Sequence, residues 1–181
     1  YKAAFLKAIR SLETGRAGLG FAKDFNRLSK DRLLEMTATP TSERQFIMYE
    51  ALRKGASVDE LCEKTHIKRW FVEQMAELVE TEEKLLQHKG SEIPDKLFIN
   101  AKKDGFSDKY LSEILDIAEE NIRSRREKLG ITESWEPVPV SGVESAAYYY
   151  STYNAADSVG TSDNRKIMIL GGGPNRIGQG I

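Results

Sequence analysis

The chain has 181 residues, 30% of them charged and 40% hydrophobic, with 27 basic side chains against 28 acidic and a formal net charge of −1. That balance gives no bulk attraction to nucleic acid or an anionic membrane, and no apolar run approaches the roughly 18 residues of a membrane span. One cysteine, Cys62, excludes an intrachain disulfide framework and suits a reducing cytoplasm.

Tyr1 in place of methionine, with no secretory leader pattern, predicts a piece excised from a longer polypeptide. Residues 2–14 place Phe5, Ala8, Ile9 and Leu12 at helical spacing, with Gly15 where a C′ glycine belongs. Arg16 to Leu28 is glycine-containing and weakly periodic, which reads as a loop. Ser29 is placed to cap a helix through Met36, with Leu33, Leu34 and Met36 inward, and Pro40 ends it.

Ser42-Glu43-Arg44-Gln45 fits a capping box ahead of a helix to Lys54, with Phe46, Ile47 and Tyr49 near one face and Gly55 as its stop. Ser57-Val58-Asp59-Glu60 fits a second capping box, opening a short helix with Val58, Leu61 and Cys62 buried. A long helix, about Lys68 to His88, follows with Phe71, Met75, Leu78, Val79, Leu85 and Leu86 lining it. The run Glu80, Glu82 and Glu83 reads as a solvated face, and Trp70 and Phe71 read as core.

Gly90 and Ser91 break the chain. Pro94 begins a helix to Lys103, with Leu97, Phe98 and Ala101 inward and Gly105 closing it. Ser107 caps a short helix carrying Leu111, Ile114 and Leu115; a turn at Asp116-Ile117 leads to a last helix, Ala118 to Leu129, ended by Gly130. From Ile131 to Arg165 the helical period vanishes, which predicts a long linker, extended at Tyr148–Tyr153, its tyrosines lying against a surface it crosses.

The last sixteen residues change character. Ile167 to Leu170 is an apolar run that stops at Gly171-Gly172-Gly173-Pro174, the pattern of a buried parallel strand and its glycine turn. Two familiar nucleotide motifs fail on inspection. The dinucleotide fingerprint needs glycine where Arg176 stands, and the P-loop needs lysine and a hydroxyl where Gln179-Gly180 stand. Arg176 reads equally as an anion holder or as a solvated loop charge. A lone strand cannot satisfy its backbone groups, so Ile167–Leu170 is expected to be disordered or to pair with another strand.

The segment Lys166 to Ile181, KIMILGGGPNRIGQGI, resembles the opening of the second synthetase half of carbamoyl phosphate synthetase large subunits. Tyr148-Tyr149-Tyr150-Ser151-Thr152-Tyr153 resembles that family's tyrosine-rich linker. Ser57-Val58-Asp59-Glu60-Leu61, Ile67-Lys68-Arg69-Trp70-Phe71 and Lys7-Ala8-Ile9-Arg10-Ser11-Leu12-Glu13 resemble its helical elements. In the linker the chain departs from the family: Val138-Pro139-Val140-Ser141-Gly142-Val143-Glu144-Ser145 stands where the family carries D-T-C-A-A-E-F.

The resemblance implies an all-α domain of about seven to nine short helices over 1–135, a linker over 136–165, and the truncated first strand and glycine loop of an α/β domain over 166–181. It implies a scaffold that joins two ATP-dependent halves and self-associates, through the 68–88 or the 42–54 helix. The parent would make carbamoyl phosphate from bicarbonate, glutamine-derived ammonia and two ATP, using Mg or Mn and possibly K, with a small glutaminase subunit as partner. In the family the glycine loop belongs to the fold preceding the ATP-grasp module. This chain is therefore expected to hold no catalytic, cofactor or metal residues, to bind no ATP, and to contact neither nucleic acid nor membrane.

One rival stands beside this reading. Ala56 to Val79 and Phe106 to Leu129 look like helix-turn-helix pairs, and Arg123, Arg125 and Arg126 would face DNA from the second. Glu119, Glu120 and Glu127 on that same helix argue for ordinary helix packing. Cys62 and His66, four residues apart, could touch one metal only if the helix continued through Thr65, and no further ligands cluster with them, so a structural role is read for both.

Overall fold

Local chemistry starts and stops most of these helices. A computed structural model describes residues 1–12, 14–21, 25–138 and 149–168. Among them lie eight α-helices: α1 (Lys2–Ser11), α2 (Lys30–Thr37), α3 (Arg44–Arg53), α4 (Val58–Thr65), α5 (Arg69–Leu86), α6 (Asp95–Asp104), α7 (Asp108–Leu115) and α8 (Glu119–Lys128). Ser29, Ser57 and Ser107 each accept a backbone N–H from the first turn of α2, α4 and α7. At Ser57 the box is complete, because the Glu60 carboxylate accepts the Ser57 N–H at 2.6 Å. His66, Gly105 and Asp116 end α4, α6 and α7 in the left-handed region.

The expected box at Ser42–Gln45 does not form: the N-cap of α3 is Glu43, in helical conformation and without a side-chain cap bond. This helix is instead held from outside, by Arg44 donating to the Thr37 and Thr65 carbonyls at 2.7 and 3.1 Å. Nor does α1 turn the expected face inward. Leu6 and Ile9 are buried, Phe5 is half-buried, and Ala8 and Leu12 are exposed. Gly15 has φ +79 but stands beyond the helix end, which is capped at Leu12. Met36, Val58, Cys62, Leu86 and Leu97 flank the core half-buried rather than within it.

The long helix α5 is the axis of the fold, packing against α1, α3, α4, α6 and α7. Its inward stripe is Val72, Met75, Leu78, Val79, Glu82 and Leu85. Phe71, expected on that stripe, is 41% exposed; Val72, one residue on, takes the inward position. Helix α3 is enclosed on every side, with Phe46 to Ala51 consecutively buried. The core closes around Tyr49, Phe98, Phe106 and Tyr110, with leucines from α2, α4, α5 and α7 between them.

Glu82 lies at the centre of this core with no solvent exposure, in place of the solvated face expected of it. Its Oε2 accepts hydrogen bonds from the Tyr49 hydroxyl at 2.7 Å and the Tyr110 hydroxyl at 2.6 Å, and its Oε1 pairs with Arg53. Buried charge demands such partners, since an unpaired carboxylate in an apolar interior is very costly. Burial, then the Glu82 charge, pushes both tyrosine hydroxyls well above their ordinary range.

The segment expected as a plain loop lies over this network. Ala17 to Gly20 are buried, and the Gly20 N–H donates to the Tyr110 hydroxyl at 2.9 Å. The two glycines are required by contact: a Cβ on Gly18 would land in the Tyr110 ring, and one on Gly20 would collide with Glu82, Tyr110 and Arg53. A short 3₁₀ turn, Phe25–Arg27, leads from here towards α2.

After α8 the chain forms a small antiparallel ribbon of β1 (Ser134–Pro137) and β2 (Tyr149–Thr152), with Trp135 opposite Ser151 and Glu136 opposite Tyr150. Extended backbone at the tyrosine-rich stretch matches the sequence reading; the pairing with β1 was not foreseen. Ile167 and Met168 are exposed and belong to no described strand. The rest of the expected strand, Ile169 and Leu170, and the whole glycine loop with Arg176, lie outside the described residues, as does Tyr148.

Candidate association surface

Trp70 and Phe71 open α5 and were expected in the core, yet they are 50% and 41% exposed. They meet Tyr1, itself 48% exposed, in a cluster of rings. Tyr1 stands edge-on to Trp70 at 5.0 Å between centroids, 5.4 Å from Phe71, and stacks on Phe5 at 5.5 Å. Trp70 and Phe71 are edge-to-face at 5.0 Å. The arrangement follows from where α1 crosses α5. Val72 and Met75 point to the core, so the two rings before them point outward and pack on the start of α1.

Ion pairs rim the cluster. Lys2 bridges Glu77 at 2.6 Å and Asp104 at 3.3 Å, and Arg69 pairs with Asp59 and, at 3.6 Å, with Glu73. An apolar centre with a polar rim is the anatomy of a protein–protein contact. Exposed to about half of the roughly 150–250 Å² that an aromatic side chain can bury, the three rings offer about 300 Å². A stable interface needs about 800 Å² per partner, so these rings can form the centre of a contact but not the whole of it.

Of the two helices read as association candidates, α3 is removed by its own burial and α5 remains, at its first turn. The sequence carried an ambiguous signal here, because Phe71 and Val72 are adjacent and either could begin the inward stripe.

The basic residues of the DNA-reading alternative are used inside the fold. Arg126 donates to Asp108 at 3.0 Å and to the Ile131 carbonyl at 3.2 Å. Arg125 bonds the Ile93 carbonyl and Asp95, and Arg123 faces Glu119 at 4.0 Å. A recognition helix must present such groups to phosphates and base edges; here two of the three join helices to neighbouring segments.

Cys62 and His66 are joined by a backbone bond, the His66 N–H to the Cys62 carbonyl at 2.9 Å, with His66 already left-handed at φ 57. Among the described residues no group of three or more His, Cys, Asp or Glu is placed to hold a metal ion. Nor is any helix among them long and apolar enough to cross a membrane.

Comparison with known proteins bears on the same question. The family described as the oligomerisation domain of the carbamoyl-phosphate synthetase large chain matches residues 1–130. The carbamoyl phosphate synthase large chain of Pseudomonas aeruginosa is 42% identical over 179 residues, covering 97% of this chain and 17% of that relative. The corresponding protein of Nostoc is 38% identical over 184 residues, covering 100% and 17%. The arginine-specific, chloroplastic large chain of Arabidopsis thaliana is 38% identical over 188 residues, covering 100% and 16%. The chain thus spans about one sixth of the length of the curated relatives it matches. Neither the side-chain geometry nor these relatives supports the DNA-binding alternative, and the chain belongs to the carbamoyl-phosphate synthetase large-chain family, as its oligomerisation domain.

Proposed function

We propose that this chain is the covalent scaffold between the two ATP-dependent halves of a longer ligase, and that it self-associates through the aromatic cluster at the start of α5. The observation that carries this reading is the rimmed cluster of Tyr1, Trp70 and Phe71 on a domain whose described buried charges are paired within the fold. The longer protein makes carbamoyl phosphate from bicarbonate, two ATP, and ammonia that a small subunit releases from glutamine. Residues 1–135 form the helical domain, 136–165 the linker, and 166–181 the start of the next α/β domain.

In this reading ATP and Mg or Mn are held by parts of the protein outside this chain. No catalytic, cofactor or metal residue is assigned to this stretch, and no step of the reaction is derived through it. Cys62, half-buried and unpaired with another cysteine, suits a reducing compartment such as the cytoplasm.

The test is light scattering after size exclusion across a concentration series, for the wild type and for Trp70→Ala/Phe71→Ala. A mass that rises with concentration in the wild type and stays monomeric in the variant is expected. A strict monomer throughout would reduce this domain to a spacer, leaving its family membership untouched. An associating variant would move the contact elsewhere.

A further inference from the structure

The segment that leaves the helical body is held more firmly than a tether requires. Tyr153, directly after β2, is half-buried, and its ring lies 5.1 Å from the Lys102 ammonium. Lys102 is 3% exposed and donates to the Phe106 carbonyl at 2.9 Å and to Asp108 at 2.7 Å. Asp108 accepts from Arg126 through its other oxygen, so one carboxylate ties the end of α6, the start of α7 and the body of α8. Burial favours the neutral acid at Asp108, but the hydrogen bonds from Lys102 and Arg126 prevail and hold it below the usual carboxylate range.

The next residue adds an independent anchor: the Asn154 amide donates to the Lys103 carbonyl at 2.9 Å. The chain then turns back along the outer edge of β1. The Trp135 N–H donates to the Asp157 carboxylate at 3.3 Å, and the Ser158 N–H donates to the Trp135 carbonyl at 3.1 Å. From Gly160 to Met168 every residue is exposed. The held stretch therefore ends at Val159.

We propose that the α6–α7–α8 surface around Lys102, Asp108 and Arg126 is a cradle for the Tyr153–Asn154 step, fixing the direction in which the chain leaves the helical domain. A flexible tether needs none of these contacts, and its end would explore a wide volume. An isolated two-stranded ribbon is marginal in water, so β1–β2 needs a docking surface to persist. A desolvated ammonium is the kind of cation that an aromatic face holds best. Tyr153 also senses the Glu133 carboxylate, at the foot of β1, and its hydroxyl is pushed up to about 12, by burial first. Because β1 pairs with β2, whose end the cradle holds, the whole ribbon is tied to the helical body. This inference concerns the chain's exit and stands whether or not the aromatic cluster on α5 associates.

Hydrogen exchange on the 181-residue chain tests it, comparing wild type with Tyr153→Ala, Tyr153→Phe and Lys102→Met. In the wild type the amides of Tyr150 to Val159 are expected to exchange at least tenfold slower than an unstructured chain. Tyr153→Ala should remove most of that protection while the amides of α5 stay protected. Tyr153→Phe, which keeps the ring over the ammonium, should retain the greater part. The double variant Lys102→Met/Tyr153→Ala should lose no more protection at 150–159 than Tyr153→Ala alone. Unprotected amides in the wild type, or protection unchanged in Tyr153→Ala, would overturn the proposal. Equal loss at α5 and at 150–159 in Tyr153→Ala would also overturn it, because Tyr153 would then be an ordinary core residue. If Lys102→Met unfolds the domain, as α5 amides would report, Tyr153→Ala still decides, since that side chain lies outside the hydrophobic core.

Discussion

Glu82→Gln is the substitution that asks most of this fold. The carboxylate is fully enclosed, accepts two tyrosine hydroxyls on one oxygen and pairs with Arg53 through the other. Glutamine keeps the shape, and its amide oxygen can still accept from Tyr49 and Tyr110. The NH₂ group must then face the Arg53 guanidinium, donor against donor. Breaking a buried pair by neutralising one partner costs about 3–5 kcal/mol. Arg53 is 15% exposed and retains Glu83 at 3.2 Å and Glu50 at 3.9 Å, so the lower end of that range, about 3 kcal/mol, applies.

For a chain of this size a loss of about 3 kcal/mol lowers Tm by roughly 6–12 °C. Urea unfolding followed by circular dichroism measures it directly. Tyr110→Phe should cost about 1–3 kcal/mol, because it strands the Gly20 N–H as well as removing a bond to Glu82. The two changes should be coupled by more than about 0.5 kcal/mol in a double-mutant cycle. A cost below about 1 kcal/mol for Glu82→Gln, or simple additivity with Tyr110→Phe, would refute the view that this network fastens the 17–20 segment to the core. The pH dependence has a definite sign. Both hydroxyls are raised above the ordinary 10.0, so the stability they contribute is complete below that pH and is lost as the pH rises beyond it.

Four further outcomes follow from single positions. Glu60, held down to about 2 by the Ser57 N–H and by Lys30, contributes stability present above pH 4.5 and lost as the pH falls towards 2. The difference in urea midpoint between wild type and Glu60→Gln should therefore shrink over that window, and a pH-independent difference would contradict the capping box. Ser57→Ala should lower stability by about 1 kcal/mol, read by the same denaturation. Gly105→Ala should cost about 3 kcal/mol, from positive-φ strain plus overpacking, because φ is +101 and the new Cβ would stand 2.6 Å from the Ala3 Cα. Gly55→Ala, at φ +87 with open space around it, should cost only about 1–2 kcal/mol; equal costs at the two glycines would mean that α1 yields freely.

Much of this fold is legible in the chain because its signals are local. The Ser57 box, the serine caps at 29 and 107, the glycine stops at 55 and 105, and the break of period after Gly130 each depend on a few neighbouring residues. The family resemblance rests on stretches that are equally local. The failures share a cause as well. Ser42–Gln45 has the letters of a capping box, but Arg44 is drawn to carbonyls of α2 and α4, and the backbone at Glu43 is already helical. Local pattern cannot register a competitor that arrives from another helix.

Composition and local pattern are enough to locate the helical segments, the serine caps at 29, 57 and 107, the lack of a bulk charge that would invite nucleic acid, and the family the chain resembles. Tertiary structure alone decided which residues meet. It placed Glu82 in the core and Phe71 at the surface, reversing a reading based on polarity, because partners 28 and 33 residues away in sequence, Tyr110 and Tyr49, hold the carboxylate. It made glycine necessary at 18 and 20 through a ring from α7, and it bound Tyr153 to an ammonium on α6. Periodicity measures a residue's neighbours along one helix. The free energy of a buried charge or an exposed ring is set by groups that only the folded chain brings together.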